Sequence, residues 1–442
     1  DSPYAYFHEP HDNYHQPTET SKLVTDPEDG SRYLSDRVNV MLDSDAKDET
    51  FRKFAASFKR SFPSEEYEVV YYDTFTKLLQ VKVPTGTVNY MVEEMPRKIT
   101  DVEFLPFPEG LMELNAKRPN DPVFKFPDLS WYFSPIEAPE AWEVTMGSPD
   151  VTVAIVDTYF DLRHDDLNSD RIVKPYSVTH RNGNVAPDGE VNPLLKPEEV
   201  PAVRAHGTFV AALAIGNADN GRGSCGIAPR CRFMPVSMGM NLSSMRMLQG
   251  VLYAIYQDAD VVNISAGTSF PEKTSKIPVS DQVSIAEIAG KPVQRVWDYA
   301  FEIADKRNIT IVWAAGNDDV LCTLDPSKRS SSTIRVSAVD PSLHKTKFSN
   351  FGNLPSHGIY ASTVSAPGQQ IFAAVPDNSY AVLQGTSFSA PIVAGTVALM
   401  KSKRHDISNK EIIETLKATG TPVAGCSTIG PLIKIRKALD KV

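Results

Sequence analysis

The segment Val151-Thr152-Val153-Ala154-Ile155-Val156 restricts the fold more than any other in the 442-residue chain. It is a continuous, largely β-branched apolar run with no polar face to turn to water. Val261-Val262-Asn263-Ile264 and Ile309-Thr310-Ile311-Val312-Trp313 repeat the pattern. Between these runs lie stretches with helical spacing: His206 to Ile215, Ser244 to Tyr256 and Val293 to Arg307. Apolar strands separated by helices predict an α/β fold, a parallel sheet covered by helices on both faces. In such sheets a ligand site lies beyond the carboxyl ends of the strands.

The N-terminal quarter reads differently. Residues 1–35 are polar and rich in turn formers, and they carry His8, His11 and His15 at irregular spacing. That composition predicts a solvated tail rather than a metal tract. From residue 36 to 108 the periodicity gives strand, helix, strand, strand, helix, strand. The strands are Val38–Leu42, Tyr67–Tyr72, Leu78–Val83 and Val102–Leu105. The helices are Asp45–Phe58 and Val88–Arg97, with Thr87 as a cap. This is the ferredoxin-like, split βαβ order, expected as a small α+β domain. Residues 109–127 read as a linker and 128–442 as the second, larger domain.

Through Pro127 there are 23 acidic and 15 basic residues; the remainder is nearly balanced, for a net charge of −10. An acidic chain is a poor nucleic-acid binder. No apolar run reaches 18 residues, so no membrane-spanning helix is expected. Residue 1 is Asp, which suggests a processed chain whose targeting segment is already gone. Cys225, Cys231, Cys322 and Cys426 contain no CxxC; a Cys225–Cys231 bridge and buried free thiols are both open.

Candidate chemistry sits at element boundaries. In Gly385-Thr386-Ser387-Phe388-Ser389-Ala390-Pro391 a serine precedes a small-residue helical segment. Such a serine caps a helix, or is a nucleophile whose backbone N–H faces a developing anion. Asp157 ends the first apolar strand. His206, at the expected start of a helix, is followed by Gly207-Thr208-Phe209-Val210-Ala211. A serine hydroxyl becomes a useful nucleophile when an imidazole takes its proton and a buried carboxylate orients that imidazole.

Taken together, Val153–Thr158, His206–Ala211 and Gly385–Pro391, with Ala314-Ala315-Gly316-Asn317 between the last two, resemble the subtilases, the subtilisin-like serine proteases, in the order Asp, His, Ser. The resemblance runs from about Trp131 to the C-terminus. It implies Asp157, His206 and Ser387 as the catalytic triad and Asn317 as oxyanion donor. It also implies Ser265, Ala266, Gly267 and Gly316 as substrate-binding positions. No cofactor is implied for the chemistry; a structural calcium is, at Asp166 and Asn220 of the turn 219–223. The N-terminal domain is then similar to a prodomain that assists folding and inhibits the site, with maturation by self-cleavage in the linker. The whole implies a secreted or exported endopeptidase acting on proteins or peptides, expected to be a monomer. Tyr159 and Phe209 depart from the family pattern. They leave open a catalytically silent fold with a binding role, or a protease that cuts only its own linker. The connections 178–204 and 268–293 look long, either as substrate-selecting loops or as padding.

Overall fold

The computed structural model describes residues 22–26, 31–110 and 118–442. The tail histidines and residues 111–117 of the linker lie outside them. The chain divides into two compact units, residues 1–115 and 116–442.

In the first unit the strands are β1 (Leu23–Thr25), β2 (Arg32–Leu42), β3 (Glu68–Asp73), β4 (Leu78–Lys82) and β5 (Phe104–Gly110). The helices are α1 (Asp48–Ser61) and α2 (Val88–Lys98). The long β2 pairs antiparallel with both β4 and β5, and β3 continues beyond β4. Helix α1 buries Phe51, Phe54 and Phe58, and α2 buries Val88, Met91 and Met95. Each of these side chains contributes about 1.5–3 kcal/mol by leaving water. Two expectations need correction. Residues 23–25 pair antiparallel with 32–34, so ordered structure begins before residue 36. Thr87 holds the cap position of α2, but its hydroxyl donates to the Pro84 carbonyl at 2.6 Å instead of capping.

The second unit opens with a 3₁₀ turn (Pro122–Lys125), α3 (Pro127–Ser130) and α4 (Ala138–Trp142). Val123, inside the expected linker, is 1% exposed, and its N–H donates to the Gly223 carbonyl. That part of the linker is packed structure. The sheet strands are β6 (Thr152–Asp157), β7 (Tyr176–Ser177), β8 (Arg232–Ser237), β9 (Val261–Ile264), β10 (Thr310–Ala314) and β11 (Ile334–Val339). After the short hairpin β12 (Asn353–Leu354) and β13 (Ile359–Tyr360) comes the last sheet strand, β14 (Val364–Pro367). A second hairpin joins β15 (Ile371–Val375) and β16 (Ser379–Leu383). The seven strands run parallel in the order β14-β11-β10-β9-β6-β8-β7.

The strands alternate between two buried layers, as their apolar runs require. Val153, Ile155, Val312 and Ala314 face one core with α5 (Val200–Ile215) and α9 (Thr386–Lys403). Ala154, Val156, Ile311 and Trp313 face the other, with α6 (Ser244–Tyr256) and α8 (Lys291–Lys306). The connection 268–293 carries a helix, α7 (Val279–Ile288). Helices α10 (Asn409–Thr419) and α11 (Ile435–Asp440) complete the unit. Chain order reverses between β6 and β9, so the crevice lies at their carboxyl ends. Helices α5 and α9 pack closely because Gly395 has no side chain: a Cβ there would lie 2.7 Å from Ile227 Cβ and 2.9 Å from the Ala214 carbonyl.

Candidate active site

Asp157 is the last residue of β6 and 2% exposed. Its Oδ1 accepts the Thr158 N–H at 2.7 Å and a bond from His206 Nδ1 at 2.7 Å. A carboxylate facing this nitrogen requires a proton on Nδ1, so in neutral His206 the lone pair is on Nε2. Burial pulls the His206 pKa down, but the Asp157 charge and hydrogen bond outweigh it and hold it above the ordinary 6.5.

His206 does not start its helix. Helix α5 begins six residues earlier, at Val200, so the histidine lies in its second turn. The Thr158 hydroxyl donates to the Val203 carbonyl at 2.7 Å and ties this added turn to the end of β6. Gly207 allows the approach: a Cβ there would sit 2.3 Å from the Tyr159 carbonyl oxygen.

Ser387 is the second residue of α9, and Gly385 holds the cap position. The serine therefore does not cap the helix, and its N–H is among the donors a helix start leaves unpaired. Gly385 has φ of +150°, a conformation other residues rarely adopt. Pro391, four residues on, has no N–H to give the Ser387 carbonyl. The Ser265 hydroxyl fills that place, donating to the Ser387 carbonyl at 2.7 Å. In return, the Ser387 hydroxyl donates to the Ser265 carbonyl at 3.0 Å. The Ser387 hydroxyl proton is therefore directed at the strand end beyond β9. His206 lies against Phe388, ring centroids 5.6 Å apart, and Phe388 in turn against Phe209 at 4.5 Å.

Asn317 follows β10. Its Oδ1 accepts the Thr386 N–H at 2.8 Å and the Thr386 hydroxyl at 2.9 Å. A backbone N–H can only donate, so the amide oxygen is fixed toward Thr386 and the NH₂ is turned away from it. The Thr386 hydroxyl also accepts the Gly316 N–H at 3.0 Å. Asn350, 2% exposed, clamps the same loop. Its Oδ1 accepts the N–H groups of Asp318 and Val320, and its Nδ2 donates to the Ala315 carbonyl at 3.0 Å. Gly316 has φ of +113°, and a Cβ there would lie 2.2 Å from Asn350 Nδ2. Thr386 and Asn350 were not identified from sequence; the first lay in plain view inside the serine motif, the second carries no local signal.

Ser265, Ala266, Gly267 and Gly316 line one pocket of about 200 Å³ together with Asn317 and Ser387. The two departures point elsewhere. Tyr159, 1% exposed, donates its hydroxyl to Asp188 at 2.6 Å and anchors the connection 178–204. Phe209 is fully buried. Neither side chain lines that pocket.

Asp166 and Asn220 lie in a separate cluster with Asp121 and Asp219. The Asn220 amide turns its NH₂ toward Asp166 Oδ1 at 3.4 Å, and its Oδ1 accepts the Arg222 N–H. That side chain therefore offers a cation no oxygen as placed. Asp121 has a buried Oδ1 with no hydrogen-bond partner, but among the described residues no three Asp, Glu, His or Cys side chains come together as a metal-holding group. Burial pushes the Asp121 carboxyl up to about 6 and that of Asp166 to about 7, as expected for carboxylates short of a counter-charge. The four cysteines are free thiols. Among the described residues no helix is long and apolar enough to cross a membrane.

The profile of the subtilase family matches residues 148–429, more than half of the chain. The thermophilic serine proteinase of a Bacillus strain is 28% identical over 291 residues, spanning 65% of this chain but only 61% of that protein. Thermitase of Thermoactinomyces vulgaris is 28% identical over 320 residues, 70% of this chain and 94% of the relative. In fold, a protease structure from Pseudoalteromonas arctica aligns over 74% of this chain and 99% of its own, with a TM-score of 0.59 at 23% identity. A parallel sheet with Asp157 and His206 bonded at its carboxyl edge belongs with these matches: the chain is a member of the subtilase family, the subtilisin-like serine peptidases.

Proposed function

We propose that this protein is a serine endopeptidase that hydrolyses peptide bonds through an acyl-enzyme, with Asp157, His206 and Ser387 as its triad. The observation that carries the reading is the 2.7 Å Asp157–His206 bond beside the α9 start, where the Asn317 amide is locked with its NH₂ free. Ser387 Oγ swings from the Ser265 carbonyl and attacks the scissile carbonyl carbon while His206 Nε2 takes its proton. The carbonyl oxygen becomes an oxyanion, held by Asn317 Nδ2 and the Ser387 N–H. His206 then protonates the leaving amine, the C–N bond breaks, and water repeats the sequence to free the acid. Asp157 stabilises the imidazolium throughout. Ser265, Ala266, Gly267 and Gly316 receive the substrate backbone by strand addition.

The first unit acts as a prodomain, an intramolecular inhibitor and folding aid removed by self-cleavage within residues 109–127. Its separate core of Phe51, Phe54 and Phe58 supports this, since a detachable unit must be able to hold its own fold. The mature enzyme acts as a secreted or exported monomer on protein or peptide substrates. A structural calcium, a hard cation taking oxygen ligands, would draw on Asp166 and Asp121 together with backbone oxygens, in place of the Asn220 side chain, and would supply stability alone.

The Ser387–Ser265 hydrogen bond is also what a silent fold would retain. Intact-mass analysis of the full chain and its Ser387→Ala variant after incubation separates the two. The wild type is expected to lose the first unit by a cut within 109–127, with the variant staying whole. A variant cut at the same bond and rate would refute self-processing.

A further inference from the structure

The pocket beside Ser387 holds a cation that the reaction above does not use. Lys328 lines it, with a side chain only 2% exposed. An ammonium offers three donors. The acceptors recorded for Lys328 Nζ are the Ala315 carbonyl at 3.4 Å and Asp325 Oδ2 at 3.5 Å, both outside the range of well-formed N–H···O bonds. Asp325 has little left to give. Its Oδ1 accepts the Ser327 N–H and hydroxyl, and its Oδ2 accepts the Thr268 N–H at 2.8 Å. The ammonium sits directly under Gly267, where a Cβ would lie 2.5 Å from Nζ. Position 267 thus has no side chain to cover the cation. The other charged residue lining the pocket is Asp318; burial raises its carboxyl pKa against the pull of Lys328.

The acyl carbon bonded to Ser387 Oγ, with its oxygen at Asn317, puts the side chain of that same substrate residue nearest this pocket. A buried cation held by two long contacts and by the face of the Trp313 ring, 5.9 Å from Nζ, still gains most from an acceptor that carries charge. We propose that Lys328 reads the substrate residue on the acyl side of the scissile bond and selects an acidic one there. This rests on the endopeptidase reading and names its substrate class.

The test is a quenched-fluorescent peptide library varied at that residue, cut by the full-chain protein after processing, with Glu and Gln as the near-isosteric pair. Wild type is expected to favour Glu over Gln by about tenfold in kcat/KM, the size of one charge-assisted contact. Lys328→Met brings the ratio to about one, and Lys328→Arg keeps Glu preferred. Should Lys328→Met fail to fold, Asp325→Asn with Lys328→Met removes both charges and takes its place. Highest rates for aromatic or aliphatic residues, or for Lys and Arg (Asp318 then being the reader), overturn the proposal. So does a Glu/Gln ratio that survives Lys328→Met. Cleavage without the preference refutes this inference alone; no cleavage of any member, with Ser387 inert to a fluorophosphonate, refutes the endopeptidase reading with it.

Discussion

Replacing Thr386 by valine removes one oxygen from the site at nearly constant volume. That oxygen donates to Asn317 Oδ1 at 2.9 Å and accepts the Gly316 N–H at 3.0 Å. The amide keeps its second anchor, the Thr386 N–H at 2.8 Å, so Asn317 is loosened but not released. One hydrogen bond lost from a pair is worth about 1 kcal/mol, or roughly five- to tenfold in kcat. Removing the proposed donor itself, as in Asn317→Ala, should cost about 10²–10³, the loss subtilisin shows for its oxyanion-hole asparagine. Thr386 acts through Asn317, so the double variant should be no slower than Asn317→Ala alone. KM should stay near wild type in all three, because the interaction is made in the transition state. The partly buried Gly316 N–H loses its partner, and stability falls by about 1–3 kcal/mol. Steady-state kinetics on one peptide, with urea melts of each variant, reads all of this. A double variant slowed by the product of the two single effects, or a Thr386→Val change confined to KM, would refute the linkage of Thr386 to the oxyanion.

Because Asp157 holds the His206 pKa above 6.5 and the base must be neutral, kcat/KM should rise with pH through an inflection above 6.5. Asp157→Asn should move that inflection down and cost about 10⁴ in kcat, read from a pH–rate profile. Gly207→Ala puts a methyl 2.3 Å from the Tyr159 carbonyl, so thermal melts should show a large loss of stability and rate assays a loss of activity together. Without calcium, the raised pKa values of Asp121 (about 6) and Asp166 (about 7) mean the folded state holds more protons than the unfolded state between about pH 4 and pH 7. Their contribution is therefore full below about pH 4 and lost as pH rises through 6 and 7. Calcium should reverse this, so chelator should lower Tm more at pH 8 than at pH 5; equal shifts would argue against that site.

The apolar strands announced themselves because a buried parallel strand has no polar face, and β9 was found to the residue. Helix α5 was not. Val200-Pro201-Ala202-Val203-Arg204 looks like loop in isolation, since a proline ends most helices. Here it occupies the first turn, where its missing N–H costs nothing. Asp157, His206 and Ser387 stand out in the sequence by their motifs, and the structure bonds the first two, but the contacts that place all three are long-range. Asn350 lies 33 positions after Asn317 and holds its loop by backbone contacts that any side chain at 318 or 320 would permit. Lys328 reads locally as a surface lysine in a Ser-Lys-Arg-Ser run, and only the fold puts it under Gly267. The carboxylate set proposed for calcium differs from the expected one for a similar reason. Asp121 comes from a segment that looked like linker and proved to be packed structure.

The most direct test of the central claim is active-site labelling of the processed protein with a fluorophosphonate, located by peptide mass spectrometry. The account predicts one adduct, on Ser387, with its rate following the same ionisation as peptide hydrolysis, and little labelling in His206→Ala. An unlabelled Ser387 in protein from which the first unit has been removed would mean that the Ser265 hydrogen bond is the serine's permanent state and that the site is silent.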